Sequence, residues 1–221
     1  MTGAVATAAP SGPLHIVAVV GNAAERSRTR LLAQAITDPL VAGLGRGTDV
    51  QLRTLELYRL APSIGIASHG AELPPAGREA LETIASADLL VAVTPVYKGS
   101  YSGLFKHLFD LLDPEALVGR PVLLAANGGS DRHALVVDHQ LRPLFAFFRA
   151  LTVPSAVYAA EADFDGYAGI RSEGLRTRIA EATAQALALL GRRHPDGEAR
   201  HHGSAWQRDG TPLPGSGAES A

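Results

Sequence analysis

The chain has 221 residues, 46% of them hydrophobic, with 20 basic against 22 acidic side chains and a formal net charge of −2. That length and apolar content suit one domain with a substantial core, and the balanced charge supplies no overall attraction to nucleic acid or to an anionic membrane. There is no cysteine, which excludes disulfides, thiolate metal sites and cysteine nucleophiles and fits a cytoplasmic protein.

Residues 1–13, MTGAVATAAPSGP, are small and apolar but lack the charged start and long aliphatic core of a secretion signal. No stretch approaches the roughly 18 uncharged apolar residues of a membrane span. The pattern then alternates in chain order: strand 14–20, helix 27–42, strand 49–57, helix 75–87, strand 89–94, helix 101–112, strand 122–127, helix 133–150, strand 152–158 and helix 174–191. Residues 58–74 read as a long connection able to cover a site or simply to cross the surface. The domain is expected over 14–193, between flexible arms at 1–13 and 194–221. The second arm is rich in Gly, Pro, Ala and Ser, with Trp206 as its one large aromatic, so it cannot bury enough surface to offset its ordering entropy.

Five strands separated by helical stretches of ten or more residues imply parallel crossovers, with helices on both faces of one sheet. The runs LHIVAVV, LLVAVT and VLLAA are nearly continuous rather than alternating, as in strands covered on both sides. In such a sheet, ligands bind beyond the carboxyl ends of the strands where strand order reverses.

Three segments lie at those ends. After the first strand, Gly21-Asn22-Ala23-Ala24-Glu25-Arg26-Ser27-Arg28-Thr29-Arg30 leads into a helix. A helix N-terminus with free amides, two hydroxyls and arginines suits one terminal phosphate, whereas Ser27 also reads as an ordinary cap. Neither GxxxxGK[ST] nor GxGxxG is present here, which argues against a P-loop nucleotide or a tightly held dinucleotide. After the third strand, Thr94-Pro95-Val96-Tyr97-Lys98-Gly99-Ser100 offers a stiff backbone edge against which a flat ring can pack. After the fourth, Asn127-Gly128-Gly129-Ser130 turns tightly enough to bring amides close to a ligand.

The remaining polar groups form no hydrolytic or metal signature. His133 stands at the rim of the glycine turn; Asp138 and Arg142, like Lys106 and Asp110, have the i,i+4 spacing of ion pairs. His201 and His202 lack a third ligand nearby. Leu104, Phe105, Leu108, Phe109 and Leu112 form a broad apolar stripe suited to core or oligomer contact.

The runs TPVYKGSYSGLFKHLFDLLDPEAL, NGGSDRHALVVDHQLRPLF and PSAVYA, in that order, resemble the NADPH-dependent FMN reductases, most of all those partnered with luciferase-like monooxygenases and next those of alkanesulfonate systems. The resemblance covers roughly residues 14–190. It implies a flavodoxin-like three-layer α/β fold with a five-stranded parallel sheet in the order 2-1-3-4-5. It also implies FMN as flavin, NADPH or NADH as hydride source, and a luciferase-like monooxygenase as recipient of reduced FMN. By this resemblance Ser27, Arg28 and Thr29 take the phosphate, while Pro95, Val96, Tyr97, Lys98, Asn127, Gly128, Gly129 and Ser130 line the ring. The family pattern carries Gly-Ser early in the phosphate loop; Asn22 departs from it. Alkanesulfonate-type relatives build a π-bulge around a tyrosine matching Tyr101, at the start of the next helix. No catalytic side chain is expected, because the cofactors carry the chemistry. A homodimer or homotetramer through the 101–112 helix is expected. A quinone or azo reductase of the same fold, or an FMN-binding electron-transfer protein without turnover, are the alternative readings.

Overall fold

The computed structural model describes residues 12–45 and 47–191. Most of the expected N-terminal arm, and all of the C-terminal one with His201, His202 and Trp206, lie outside the described residues. The strands are β1 (Leu14–Val20), β2 (Val50–Glu56), β3 (Leu89–Tyr97), β4 (Ser100–Tyr101), β5 (Pro121–Gly128), β6 (Leu151–Thr152) and β7 (Val157–Ala160). The helices are α1 (Arg28–Gly43), α2 (Leu57–Ile64), α3 (Pro75–Ala85), α4 (Gly103–Asp110), α5 (Arg142–Phe147) and α6 (Glu173–Leu190). The main sheet runs β2-β1-β3-β5, then β6 and β7 end to end along the far side of β5, all parallel. The fold is flavodoxin-like as expected, but the strand order agrees only in part: the sheet has seven strands rather than five, because the expected fifth strand is two, β6 and β7, and β4 pairs antiparallel with the end of β3.

Both faces of the central strands are buried, and the side chains sort by the two-residue period of a strand. Val17 and Val19 of β1, Leu90 and Ala92 of β3, and Val122, Leu124 and Ala126 of β5 join one core, which is closed by α2, α4 and α5. Ile16, Ala18 and Val20, then Leu89, Val91 and Val93, then Leu123 and Ala125 join the other, closed by α1 and α6. The continuous apolar runs of the sequence therefore serve two cores at once.

Four segments differ from the sequence reading. First, the 58–74 connection contains α2, which starts directly from β2 and places Leu57, Leu60 and Ile64 on the core. Its eight residues, internal Pro62 and lack of a polar cap hide it from a periodicity reading. Second, the α4 stripe is spent inside the protein: Phe105, Leu108 and Phe109 are fully buried. Each contributes about 1.5–3 kcal/mol by leaving water, so most of the stripe is core, and Leu104 alone of it stays partly exposed. Third, 133–150 is not one helix but a 3-10 turn (Asp131–His133), a π turn (Val137–Leu141) and α5. The π geometry stands here rather than at Tyr101, which pairs with Val96 in the β3–β4 hairpin instead of opening a helix.

Fourth, the 152–158 strand breaks. Val122 of β5 faces Thr152 and Ala125 faces Val157, so a step of three residues in β5 is matched by a step of five. The extra two residues bulge out at Pro154, which cannot donate to a ladder. Arg142 compensates: Nη1 donates to Thr152 Oγ1 at 2.9 Å and Val153 O at 3.2 Å, and Nη2 to Pro154 O at 3.1 Å. Its Nε also bonds Asp138 at 2.9 Å, the expected i,i+4 pair.

Candidate functional site

The carboxyl ends of β1, β3 and β5 lie side by side, and the loops that leave them bring the three segments singled out in the sequence to one edge of the sheet. Ser27 is extended (φ −147°, ψ 133°) and caps α1, its Oγ accepting from Thr29 N at 3.1 Å. The cap satisfies one of the first-turn amides, and those of Arg28 and Arg30 have no partner within the helix. Ser27 keeps its hydroxyl proton for a further acceptor. Thr29 is the less accessible of the two hydroxyls, since the residue is buried.

Asn22 is 1% exposed and its amide is oriented by two acceptors: Nδ2 donates to Ala24 O at 2.8 Å and to Glu56 Oε2 at 3.0 Å. Its donors are thus occupied by the loop and by the end of β2, and its Oδ1 has no hydrogen-bond partner among the described residues. Asn22 holds the loop's shape, which accounts for its presence where a hydroxyl was expected.

β3 tolerates a proline because its neighbour has ended. Gly21 N donates to Val93 O at 2.7 Å, so Val93 and, two residues on, Pro95 face the β1 side, where pairing stops at Val20. The strand continues to Tyr97, 51% exposed, and turns back through Lys98 and Gly99, both at positive φ (53° and 84°). This is a two-residue hairpin of the primed kind, and Lys98 is exposed at its tip. Buried Thr94 accepts from Ser102 N at 3.2 Å, and Ser102 Oγ donates to Gly21 O at 3.4 Å while capping α4 through Phe105 N. Thr94 and Ser102 therefore lock β1, β3 and α4 together directly beneath the edge. A Cβ on Gly21 would press on Thr94, Pro95 and Phe105 at 3.1–3.2 Å, a tight fit that these neighbours would have to shift to admit.

On the other side, Gly128 ends β5 and Gly129 and Ser130 are exposed. Tyr158 of β7 reaches over this turn and donates to Ser130 O at 2.6 Å. Burial, then Asp131 and Asp163, push the Tyr158 phenol above its usual pKa, so it stays a donor. Asn127 Oδ1 is buried without a partner among the described residues. His133 is exposed on the 3-10 turn. Tyr158 was absent from the sequence reading although it lies in the PSAVYA run. Glu161 and Tyr167, which reach the first loop from beyond β7, carried no local signal at all.

Two surface grooves, of about 430 and 320 Å³, lie elsewhere, between α1 and α6 and beside β1, β2 and α3. The first is lined by Leu31, Ala35, Pro39, Ile170 and Ile179, and its one arginine, Arg176, is engaged by Ile170 O, Arg171 O and Glu173. Neither groove lies at the carboxyl ends of β1, β3 and β5, where the first-turn amides of α1 and the glycine turn stand together. Among the described residues, no group of three or more acidic or histidine side chains is placed to hold a metal, and no helix is long and apolar enough to cross a membrane.

Residues 14–165 match the family model described as NADPH-dependent FMN reductase. The chain belongs to that family. It is a flavin reductase, an oxidoreductase acting with FMN and a reduced nicotinamide. Among its relatives, an FMN reductase (NADPH) of Pseudomonas aeruginosa is 50% identical over 83% of this chain and 96% of its own. The NADH-dependent FMN reductase SfnF of Pseudomonas fluorescens is 50% identical over 82% of this chain and 94% of its own. The reductase also resembles a solved oxidoreductase of Corynebacterium diphtheriae, with 35% identity and a TM-score of 0.75 over 83% of this chain and all of that one. The donor set at the strand ends fits FMN: amides and a hydroxyl for one phosphate, and two backbone edges for a flat ring.

Proposed function

We propose that this flavin reductase binds FMN across the carboxyl ends of β1, β3 and β5 and releases it reduced to a separate luciferase-like monooxygenase. The observation that carries the placement is the pairing of the capped α1 N-terminus with the Tyr158-pinned glycine turn on the opposite side of β3. The phosphate meets the amides of Arg28 and its neighbours, the Ser27 hydroxyl and the side of Thr29. The ring lies against Pro95, Val96, Tyr97 and Lys98 on one side and Asn127, Gly128, Gly129 and Ser130 on the other. When bound, the flavin accepts hydride from the nicotinamide. The chain's own residues position the ring, shield its lower face with the Thr94–Ser102 lock, and need supply no acid or base.

The open edge favours exchange. Tyr97, Lys98, Gly129 and Ser130 are exposed, so the flavin is covered by few side chains and can leave after reduction. Removing the Ser27 hydroxyl should weaken FMN about 10- to 150-fold, the effect of losing a hydrogen bond to a charged group; unchanged FMN affinity in Ser27→Ala overturns the phosphate placement. For the partner, product formation by a luciferase-like monooxygenase is measured with NADPH or NADH, FMN and this protein, mixed and then separated by a dialysis membrane. Support in the mixture is expected. Efficient reduction of quinones without any support of a monooxygenase would replace this reading by the quinone or azo reductase one.

A further inference from the structure

Three arginines stand on the loop and first turn assigned to the flavin phosphate, and two of them already face a carboxylate. Arg28 Nη2 lies 2.7 Å from Glu161 Oε1, and its Nε donates to Gly166 O at 3.4 Å. Arg30 Nε lies 3.7 Å from Glu56 Oε1. Arg26 has no ion pair among the described residues. Its guanidinium instead sits 4.4 Å from the centroid of the Tyr167 ring, and that of Arg28 sits 5.0 Å from the same ring.

Tyr167 is held by a loop built for the purpose of reaching this far. After β7 the chain makes a 3-10 turn (Glu161–Asp163) in which Asp163 Oδ2 accepts from Ala160 N at 2.8 Å. Asp163 O accepts from Arg171 N at 2.7 Å and Ser172 N at 3.2 Å, and Phe164, which is buried, bridges Ile170. These contacts pinch the loop at its base. At its tip Gly166 takes a positive φ of 57°, presenting its carbonyl to Arg28 and the next side chain to both guanidiniums.

We propose that Arg26 is the cation that meets the flavin phosphate, and that Tyr167 is the positioning residue that sets its reach, with the Arg28–Glu161 pair fastening the 161–171 loop to α1. This rests on the phosphate placement proposed above. Arg28 then serves the phosphate through its backbone amide, its side-chain charge being answered by Glu161. A dianion is drawn most strongly to the one arginine whose charge is not already matched, and the aromatic face holds that arginine without neutralising it. The loop beyond the last strand thereby becomes part of the device that distinguishes FMN from riboflavin, which has the same ring and no phosphate.

The test is equilibrium titration of the full chain with FMN and, separately, with riboflavin, read by quenching of flavin fluorescence. Arg26→Met should weaken FMN about 10-fold or more and leave riboflavin unchanged. Tyr167→Leu should weaken FMN about two- to fivefold, the scale of an exposed cation–π contact, while Tyr167→Phe, which keeps the ring, binds as the wild type does. Combined with Arg26→Met, Tyr167→Leu should add nothing, and the unchanged riboflavin affinity shows that each variant is folded. Arg28→Met, which frees the loop, should weaken FMN no more than Tyr167→Leu does; retention of the FMN preference by Arg26→Met, or a larger loss in Arg28→Met than in Arg26→Met, overturns the proposal while leaving the placement of the phosphate intact. A wild-type protein that binds FMN no more tightly than riboflavin overturns both.

Discussion

The Tyr158 hydroxyl donates to the carbonyl oxygen of Ser130 at 2.6 Å, joining the end of the sheet's last strand to the turn that follows β5. Space for this bond exists because residue 128 has no side chain: a Cβ there would overlap the Tyr158 hydroxyl. The turn and the phenol are thus a matched pair.

Gly128→Ala should therefore destabilise the protein by about 1–3 kcal/mol, as overpacking does. Adding Tyr158→Phe removes the colliding oxygen; what then remains near the new methyl is ring carbon and Val96 at 3.4–3.5 Å, ordinary contact. Urea denaturation of the two single variants and the double is the measurement. The double should be more stable than Gly128→Ala alone; an equal or lower stability would show that the methyl is excluded by something other than the phenol.

The raised pKa of Tyr158 has a consequence for alkaline stability. Burial first, then Asp131 and Asp163, make the folded chain hold the phenolic proton more tightly than the unfolded chain does. The folded state gains from this fully below the unfolded phenol's pKa of about 10, and loses it as pH rises through the higher folded value. The stability gap between wild type and Tyr158→Phe should be constant through neutral pH and shrink above about pH 10. Denaturation curves for both proteins on either side of that pH decide it. A gap that widens would reverse the sign.

Arg142 should be among the least replaceable charges in the fold. Its guanidinium answers two backbone carbonyls, of Val153 and Pro154, and the Thr152 hydroxyl where the fifth strand breaks, and a hydrogen bond to a charged group contributes about 1.5–3 kcal/mol. Arg142→Met should lower stability by about 2 kcal/mol or more, and Arg142→Lys should recover little, because one ammonium lacks the planar fork. Thermal denaturation of the three proteins tests this. Full stability of the lysine variant would mean that the charge alone matters.

The central strands were legible because residues buried on both faces must be apolar at every position, as in Leu89-Leu90-Val91-Ala92-Val93. The α1 start was legible because a serine standing between the end of a strand and an apolar-periodic run reads as a helix cap. Helix α2 was not, since Leu57, Leu60 and Ile64 are too few to set a period against Pro62 and Gly65. The hairpin at Lys98-Gly99 was missed because a strand that outruns its neighbour looks, in sequence, like a strand that has ended. Within the candidate site, the segments that carry backbone donors were found by local pattern. Tyr167 and Glu161 were not, because their relation to Arg26 and Arg28 spans some 133 residues in the pair Arg28–Glu161 and leaves no trace in composition or spacing.

The break in the fifth strand inserts two residues, and the evenness of that number matters. Side chains along a strand alternate between faces, so an even insertion returns the chain in phase: Thr152 pairs with Val122 and Tyr158 with Ala126, on the same side of the sheet. An odd insertion would have sent Tyr158 to the opposite face, under α6, and brought Val157 and Ala159 out of the core they now fill. The segment 153–156 can thus lengthen or shorten by pairs of residues and keep the turn at Ser130 pinned, whereas a single deletion there would unfasten it from a distance.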